Sequence, residues 1–135
     1  MKVIVDTCVW SLALRRNEPS ASAEVRLLQE LVQDGRVAML GPIRQELLSG
    51  VKAPAQFKNL VWALEAFPDE ELSMEDYVEA ARCFNRCRSK GVQGSNTDFL
   101  LCAVSLRLGF PILTTDGDFG HFKKVLRVKL VAATS

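Results

Sequence analysis

Two hydrophobic patterns alternate along the chain. Short runs of β-branched and aliphatic residues predict buried strands, whereas apolar residues at every third or fourth position predict helices that bury one face. The strands are expected at residues 2–5, 37–40, 111–115 and 125–131, and the helices at 7–16, 22–34, 41–50, 54–67, 73–90, 95–108 and 118–124. Strands that alternate with helices are typical of an α/β sandwich with a mainly parallel sheet. We therefore expect one α/β domain over residues 1–135, without repeats or linkers.

Residues at several predicted helix ends support this assignment. Gly109 is expected to end a helix, because glycine readily adopts the left-handed conformation of a helix C-terminus. Ser95 or Asn96 is expected to cap the helix that follows it. Ser73 and Asp76 resemble a capping box, although Glu or Gln is preferred at the third position. These residues place two of the predicted helices within narrow bounds.

Composition is that of an ordinary globular protein. The 135 residues are 48% hydrophobic and 24% charged, which excludes a disordered chain and allows one core. The 17 Lys and Arg residues balance 16 Asp and Glu residues, so the net charge of +1 gives no strong basic field. Asp6 interrupts the apolar N-terminus, which therefore does not resemble a signal peptide, and no apolar run is long enough to span a bilayer. We expect a cytoplasmic protein without a membrane partner.

The four cysteines and the single histidine do not predict a zinc site. Cys83 and Cys87 are one helical turn apart, but further ligands would have to come from distant segments of the chain. We expect reduced, buried thiols, as is usual in cytoplasmic proteins.

Two aspartates directly follow predicted central strands. Asp6 comes after the run Val-Ile-Val, and Asp116 comes after Ile-Leu-Thr-Thr. Ligands of open α/β sheets bind outside the carboxyl ends of the strands, where both side chains would lie. Each aspartate alone has an ordinary alternative, since an aspartate after a strand often caps the next helix. Together they predict an acidic site at this edge of the sheet.

Two further acids take unusual positions on predicted helices. Asp98 and Glu46 each have apolar residues one turn away, so both are expected on the side of the helix that faces the core. Each has an alternative explanation. Asp98 stands in a first helical turn, where the helix dipole favours an anion. Glu46 is within reach of Arg44 or Lys52 as an ion-pair partner.

Four carboxylates in one crevice would repel one another strongly unless a cation neutralised them. Oxygen ligands without histidine favour a hard cation, Mg²⁺ or Mn²⁺, over zinc. Such a metal can activate water and stabilise the departing oxyanion in phosphodiester hydrolysis. The residues by themselves therefore indicate a metal-dependent hydrolase.

Four segments carry these acids. They are Val-Ile-Val-Asp6-Thr7, Gly-Pro-Ile-Arg-Gln-Glu46-Leu-Leu-Ser-Gly, Asn-Thr-Asp98-Phe-Leu-Leu-Cys-Ala and Ile-Leu-Thr-Thr115-Asp116-Gly-Asp118-Phe119. In this order they resemble the motifs of the PIN-domain ribonucleases, above all the VapC-type toxins of toxin–antitoxin pairs. The resemblance implies a three-layer α/β/α sandwich and Mg²⁺- or Mn²⁺-dependent endonucleolytic cleavage of RNA. It also implies a homodimer and a cognate antitoxin whose C-terminal tail covers the acidic groove.

The resemblance assigns roles to the matching acids. Asp6 and Asp98 would be the principal metal ligands. Asp116 would complete the acidic set, directly or through a water molecule. Glu46 would help to hold a metal ion or orient the attacking water.

Three neighbouring positions have supporting roles in this resemblance. Thr7 and Thr114 correspond to hydroxyl positions that support the ligating carboxylates. Thr114 shares strand parity with Asp116, so both side chains can face the crevice. Asp118 stands at a position that varies in the family, and we prefer to interpret it as a helix N-cap before Phe119.

RNA has to approach an acidic crevice, so basic residues are expected around it. The candidates are Arg15, Arg16, Lys123 and Lys124. Ordinary solvated surface is the alternative for both pairs. A further basic cluster comprises Arg82, Arg86, Arg88 and Lys90. The dipole at a helix C-terminus explains that cluster as well as RNA binding does.

The sequence leaves three functions open. The first is a metal-dependent ribonuclease toxin, and the second is a PIN-type nuclease that acts in RNA processing or on DNA. The third is a catalytically silent PIN-like binding module, against which the retention of all four acids argues. A receiver-type phospho-acceptor domain is disfavoured, because its acidic pair and late lysine would follow a different order along the chain.

Overall fold

The computed structural model describes residues 1–14 and 22–133. The elements in chain order are β1 (Val3–Val5), α1 (Thr7–Ala13), α2 (Ala23–Gln33), β2 (Val37–Ala38), α3 (Gly41–Leu48), α4 (Pro54–Leu64), α5 (Met74–Ser89), α6 (Asn96–Leu108), β3 (Ile112–Leu113) and α7 (Asp118–Leu126). In these two ranges no helix combines the length and the apolar character needed to cross a membrane.

The strands form one parallel sheet in the order β2-β1-β3. Ile4 in the central strand pairs with Ala38 on one side and Ile112 on the other. β1 is buried along its whole length, as its unbroken β-branched run predicts. The ladder continues past the strand, because the N–H of Asp6 donates to the carbonyl of Leu113 over 2.9 Å. Parallel pairing therefore brings the carboxyl ends of β1 and β3 to the same edge of the sheet.

Helices cover this small sheet in two groups. α5, α6 and α7 pack against one another, and α6 also contacts β3. α1 contacts α2 and α3, α3 contacts α4, and α2 contacts β2. The arrangement confirms the predicted α/β/α sandwich around a parallel sheet.

The predicted strand over residues 125–131 is wrong. α7 continues to Leu126, two residues beyond its predicted end. Phe119, Phe122 and Leu126 are all buried and lie at helical spacing, so one face of a helix buries all three. After the helix, Leu130 makes an isolated bridge with the first residue of β3.

Several helix boundaries agree with prediction. Ser73 and Ser95 each form a capping box with the aspartate three residues later. Gly109 ends α6 in the left-handed conformation with φ of 72°. α1 differs, because it ends at Ala13 rather than at residue 16.

An ion pair between a buried carboxylate and a partly exposed guanidinium joins α5 to α6. The Asp76 carboxylate is 3% exposed and accepts hydrogen bonds from Nε of Arg107 at 2.6 Å and Nη2 at 3.0 Å. It also accepts one from the N–H of Ser73 at 2.9 Å. Burial by itself raises the pKa of Asp76, but the bonds from Arg107 and Ser73 and the charge of Arg107 outweigh burial, so the pKa lies below its ordinary value.

An aromatic cluster holds α7 against the loop that leads to α6. The ring centroid of Phe99 lies 5.4 Å from that of Phe84 and 4.9 Å from that of Phe122. Gly94 lies directly against this cluster, since a Cβ at that position would be 2.5 Å from Cζ of Phe122. The absence of a side chain at residue 94 therefore allows the loop to approach α7 closely.

Candidate active site

Asp6 is fixed at the carboxyl end of β1 by three donors. It is the N-cap of α1 and is 8% exposed. Its Oδ1 accepts from the N–H of Thr7 at 2.8 Å. Its Oδ2 accepts from Oγ1 of Thr114 at 2.8 Å and from Sγ of Cys8 at 3.4 Å. Asp6 therefore caps α1 and also lies at the carboxyl edge of the sheet, so the two explanations are compatible.

Thr114 connects Asp6 to the loop after β3. Its Oγ1 donates to Asp6 and accepts from the N–H of Asp116 at 3.0 Å. Oδ1 of Asp116 accepts in turn from the N–H of Asp118 at 2.9 Å. The N-cap of α7 is Gly117, and Asp118 is its exposed first residue. The predicted N-cap role of Asp118 is therefore wrong, because the Asp116 carboxylate already satisfies the amide that opens this helix.

Asp98 stands in the first turn of α6 and is half-buried. Its Oδ2 accepts from the N–H of Ser95 at 3.0 Å, while its own N–H donates to Oγ of Ser95 at 3.1 Å. Burial raises the pKa of Asp98, the two Ser95 hydrogen bonds lower it, and the charges of Asp6 and Asp116 raise it further. The net shift is upward. Asp98 is therefore near enough to both other aspartates to feel their charge.

Glu46 reaches the site from α3. Oγ1 of Thr7 donates to its Oε1 over 2.7 Å, which ties Glu46 to the residue next to Asp6. Glu46 is exposed, so the prediction that it faces the core is wrong. The buried face of this short helix is filled by two apolar residues instead. Arg44 pairs with Asp69 at 3.0 Å, and Glu46 forms no ion pair with any described residue.

The donor chemistry of this cluster fits a hard divalent cation. Within residues 1–14 and 22–133, no three Asp, Glu, His or Cys side chains are arranged as they stand to hold a metal ion. Oδ1 of Asp98 and Oδ2 of Asp116 nevertheless accept no hydrogen bond from the described residues. The oxygens are all carboxylate oxygens, and their mutual repulsion is what a Mg²⁺ or Mn²⁺ ion would relieve.

Cys8 belongs to the site, although sequence reasoning assigned it to the core with the other cysteines. Its thiol is only partly buried and lies 3.4 Å from Oγ1 of Thr114 as well as from Asp6. Its Sγ also accepts from the N–H of Thr115 at 3.4 Å. The other three cysteines are free and buried, as predicted. The available signal for Cys8 was its position two residues after Asp6, at the start of α1.

The basic residues considered for RNA contact lie in different places. Arg15 and Arg16 fall outside the described residues. Lys123 and Lys124 are exposed in the last turn of α7. Lys124 lines a groove shared with α5, whereas Lys123 lines a second groove with Met1 and the C-terminal segment. The two neighbouring lysines therefore lie on different surfaces.

Comparison with known proteins identifies one family. The PIN domain family model matches residues 3–125, which is most of the chain. No curated protein matches the chain in sequence.

Solved structures share the fold at low sequence identity. FitAcB from Neisseria gonorrhoeae has a TM-score of 0.75 and 19% identity, with 96% of this chain and 96% of that chain covered. VapBC2 from Rickettsia felis, bound to a DNA fragment from their promoter, has a TM-score of 0.76 and 16% identity, with 97% and 98% covered. VapBC-1 from nontypeable Haemophilus influenzae has a TM-score of 0.72 and 12% identity, with 97% of each chain covered. The likeness extends over almost the whole of each chain and establishes the fold.

Proposed function

Because this chain belongs to the PIN domain family, we propose that it is a Mg²⁺- or Mn²⁺-dependent endoribonuclease and the toxin of a type II toxin–antitoxin pair. PIN domains are generally nucleases. The observation that carries the proposal is the bridge from Asp6 through the Thr114 hydroxyl to the N–H of Asp116, which joins two acids at the carboxyl ends of adjacent parallel strands. Asp98 in the first turn of α6 is the third acid, and its pKa is raised by burial and, to a smaller extent, by the charges of Asp6 and Asp116.

Asp6, Asp98 and Asp116 would hold the metal in this proposal. When bound, the ion supplies positive charge that attracts the phosphodiester and stabilises the negative charge that develops during hydrolysis. Asp6 is oriented in advance by Thr114 and by the N–H of Thr7. Such outer contacts fix the direction of a ligating carboxylate before the ion arrives.

Glu46 orients the attacking water and accepts its proton in this proposal. Its Oε1 is engaged by the Thr7 hydroxyl at 2.7 Å, while its Oε2 accepts no hydrogen bond from the described residues. A carboxylate held at one oxygen presents the other in a defined direction, which is what general-base action requires. Thr7 is thus a positioning residue for Glu46.

The family resemblance extends the proposal to partners. The substrate is RNA, the chain forms a homodimer, and a cognate antitoxin covers the acidic groove in the cytoplasm. The fold shared with the FitAcB and VapBC structures supports a toxin rather than a nuclease of RNA processing.

Cleavage of RNA by the purified chain tests the proposal. We expect internal cuts in an end-labelled single-stranded RNA when Mg²⁺ or Mn²⁺ is present, and none after chelation. Asp98→Asn is expected to abolish cleavage. Asp34→Asn is the matched control, since Asp34 is an exposed residue at the end of α2, and it should cut at the wild-type rate.

The other possible outcomes each test a different part of the proposal. Equal cleavage by the two variants would show that the carboxylate assignment is wrong. Cleavage of DNA but not RNA of the same sequence would exclude a ribonuclease. Neither cleavage nor Mg²⁺ binding by calorimetry would indicate a catalytically silent module. Growth arrest on induced expression, absent with Asp98→Asn, would separate a toxin from a processing nuclease.

A further inference from the structure

Basic side chains from two helices line one groove beside the loop that leads to α6. Arg86 and Lys90 come from the C-terminal end of α5, and His121 and Lys124 come from α7. Val92 lies in the loop between them, and none of the described acidic side chains lines this groove. We call this surface the α5–α7 groove.

The positive charge of the α5–α7 groove is largely uncompensated. In the described part of the chain, the ion pairs involve other cations, namely Lys2, Arg44, Arg82 and Arg107. Two helix C-termini meet here, and each carries roughly half a negative charge. They offset about one of the three full charges of Arg86, Lys90 and Lys124, so about two remain. The helix dipoles therefore leave a net positive charge on this surface, which can attract an anionic partner.

Each wall of the groove is connected along the chain to a segment of the candidate active site. α7 begins at Asp118, whose N–H is bonded to Asp116, and Lys124 lies about 9 Å farther along the helix axis. On the α5 side, the loop after the helix runs from Val92 to Gly94 and to Ser95, which caps the helix of Asp98. The basic helix ends are thus joined along the chain to the segments that carry Asp98 and Asp116.

A pocket with an aromatic wall adjoins the groove. It shares Val92 and is lined further by Phe84, Arg88, Gln93, Gly94 and Phe99. Cζ of Arg88 lies 6.0 Å from the ring centroid of Phe84. Phe99 is 1% exposed and packs against Phe84 and Phe122. The partly buried Phe84 ring and Arg88 therefore form the face that is open to a base. An aromatic and guanidinium face beside a basic groove is the combination that binds single-stranded nucleic acid.

We propose that the α5–α7 groove binds the phosphate backbone of single-stranded RNA and leads the strand into the carboxylate site. Arg86, Lys90 and Lys124 contact phosphates on one side of the cleaved bond. The proposal rests on the proposed nuclease function and adds the course of the substrate over the surface. An acidic protein segment would be attracted by the same charge, but the adjoining aromatic pocket favours nucleic acid.

The salt dependence of RNA binding tests whether RNA lies in the α5–α7 groove. Fluorescence anisotropy with a labelled single-stranded RNA is measured in the Asp98→Asn background, so that the RNA stays intact. Lys90→Gln/Lys124→Gln is expected to weaken binding at least about fivefold and to reduce the slope of log affinity against log salt by about 1.4, or about 0.7 for each phosphate that is no longer neutralised. The control, Lys58→Gln/Lys129→Gln, removes the same charge elsewhere and should change neither quantity.

The control lysines are matched in exposure and differ in place. Lys58 is exposed on α4, and Lys129 is exposed beside the amino end of β3, where its carbonyl accepts from Ile112. Lys90 and Lys124 are exposed too, so both double variants are expected to remain folded; only Lys90→Gln/Lys124→Gln should show a slightly lower thermal midpoint, because it loses two cations at helix C-termini.

Cleavage by the chain with native Asp98 separates failure of this proposal from failure of the proposed function. If it cuts RNA and the two double variants bind RNA alike, the function stands and the course through the groove is wrong. If it neither cuts nor binds RNA, both proposals fail. If Lys90→Gln/Lys124→Gln loses binding of a poly-glutamate peptide but keeps RNA binding, the groove serves an acidic protein and the RNA assignment is overturned.

Discussion

Oγ1 of Thr114 donates a hydrogen bond of 2.8 Å to Oδ2 of Asp6, although the two residues are 108 positions apart in the sequence. The same hydroxyl accepts from the N–H of Asp116 at 3.0 Å. One side chain therefore determines how the loops after two neighbouring strands stand relative to each other. This makes Thr114 a positioning residue for the side chain of Asp6 and for the backbone of Asp116.

Thr114→Val is expected to slow RNA cleavage more than it weakens the fold. Valine keeps the shape of threonine but leaves Oδ2 of Asp6 without its hydroxyl donor. Loss of a hydrogen bond that orients a metal ligand typically costs roughly 10- to 100-fold in activity or metal affinity. The free energy of unfolding should fall by only about 1–2 kcal/mol, as for one partly buried hydrogen bond. Cleavage rates and urea unfolding measure the two effects.

Thr115→Val is the matched control for this prediction. Thr115 is exposed, and its hydrogen bond to Cys8 uses the backbone N–H, which the substitution keeps. We expect near wild-type cleavage and stability. If Thr115→Val slowed cleavage as much as Thr114→Val, the effect would belong to the loop as a whole and the role of the hydroxyl would be disproved.

Thr7→Val and Glu46→Gln are expected to act through the same step. Without the hydroxyl, Glu46 loses the bond that directs it, so Thr7→Val should lower kcat while leaving the backbone N–H that holds Asp6 in place. The double variant should be no slower than Glu46→Gln alone, because Thr7 acts only through Glu46. A double-mutant cycle on kcat measures this coupling. Additive losses would show that Thr7 has an independent role.

Asp98→Asn is expected to stabilise the metal-free protein at neutral pH. Because the pKa of Asp98 is raised in the folded state, its stabilising contribution is complete below the unfolded pKa of about 4 and is lost as the pH rises through the folded pKa. Asparagine mimics the protonated form and keeps an acceptor for Ser95. The variant should therefore have a higher Tm at pH 7 in the presence of a chelator, with less difference in mild acid.

Addition of Mg²⁺ is expected to reverse this order of Tm, so that the wild-type chain becomes more stable than Asp98→Asn. Mg²⁺ should raise the Tm of the wild-type chain, since a ligand that binds only the folded state stabilises it. The Asp98→Asn protein should respond much less, and Asp34→Asn should respond like wild type. A lower Tm for Asp98→Asn at pH 7 without metal would contradict the electrostatic account.

Arg107→Met is expected to destabilise the fold by about 2–3 kcal/mol. It leaves the carboxylate of Asp76 buried without its counter-ion, and the loss is smaller than for a fully buried pair because the Arg107 side chain is 44% exposed. Arg82→Met breaks an exposed pair with Glu79 and should cost less than about 1 kcal/mol. Urea unfolding at pH 7 measures both, and equal losses would contradict the prediction.

The same pair has a defined dependence on pH. Because the folded pKa of Asp76 lies below its ordinary value, its contribution to stability is present above the unfolded pKa of about 4 and is lost as the pH falls through the folded pKa. Arg107→Met should therefore lose less stability than wild type on acidification below about pH 4. An unchanged acid dependence would show that Arg107 does not hold this carboxylate in its charged form.

The positions of the acidic residues in the fold were predictable wherever they depended on chain direction alone. Asp6 and Asp116 follow strands, and parallel strands deliver their carboxyl ends to one edge whatever their length. Asp98 was predictable because a capping box fixes the start of its helix. In these cases a local rule and the topology agree, so neighbouring residues suffice to place the side chain.

Other features depend on contacts that local patterns do not encode. Glu46 was expected to face the core because its neighbours are apolar, but its orientation depends on the Thr7 hydroxyl 39 positions away. Residues 125–131 alternate as a strand would, yet the buried Phe122 and Leu126 continue a helix. The α5–α7 groove arises only when two helix ends meet in space. Tertiary packing determines the orientation of Glu46, the continuation of α7 to Leu126 and the existence of the groove.

Gly94 and Phe122 bring the segment that leads to Asp98 into contact with the helix that follows Asp116. Gly94 lies four residues before Asp98, and Phe122 lies on the helix that begins beside Asp116. A contact between a glycine and a phenyl ring thus limits how closely the segment that leads to Asp98 approaches the helix that follows Asp116. In the proposed nuclease, a larger or smaller side chain at residue 122 would therefore shift the segment that precedes Asp98 while leaving every acidic residue unchanged.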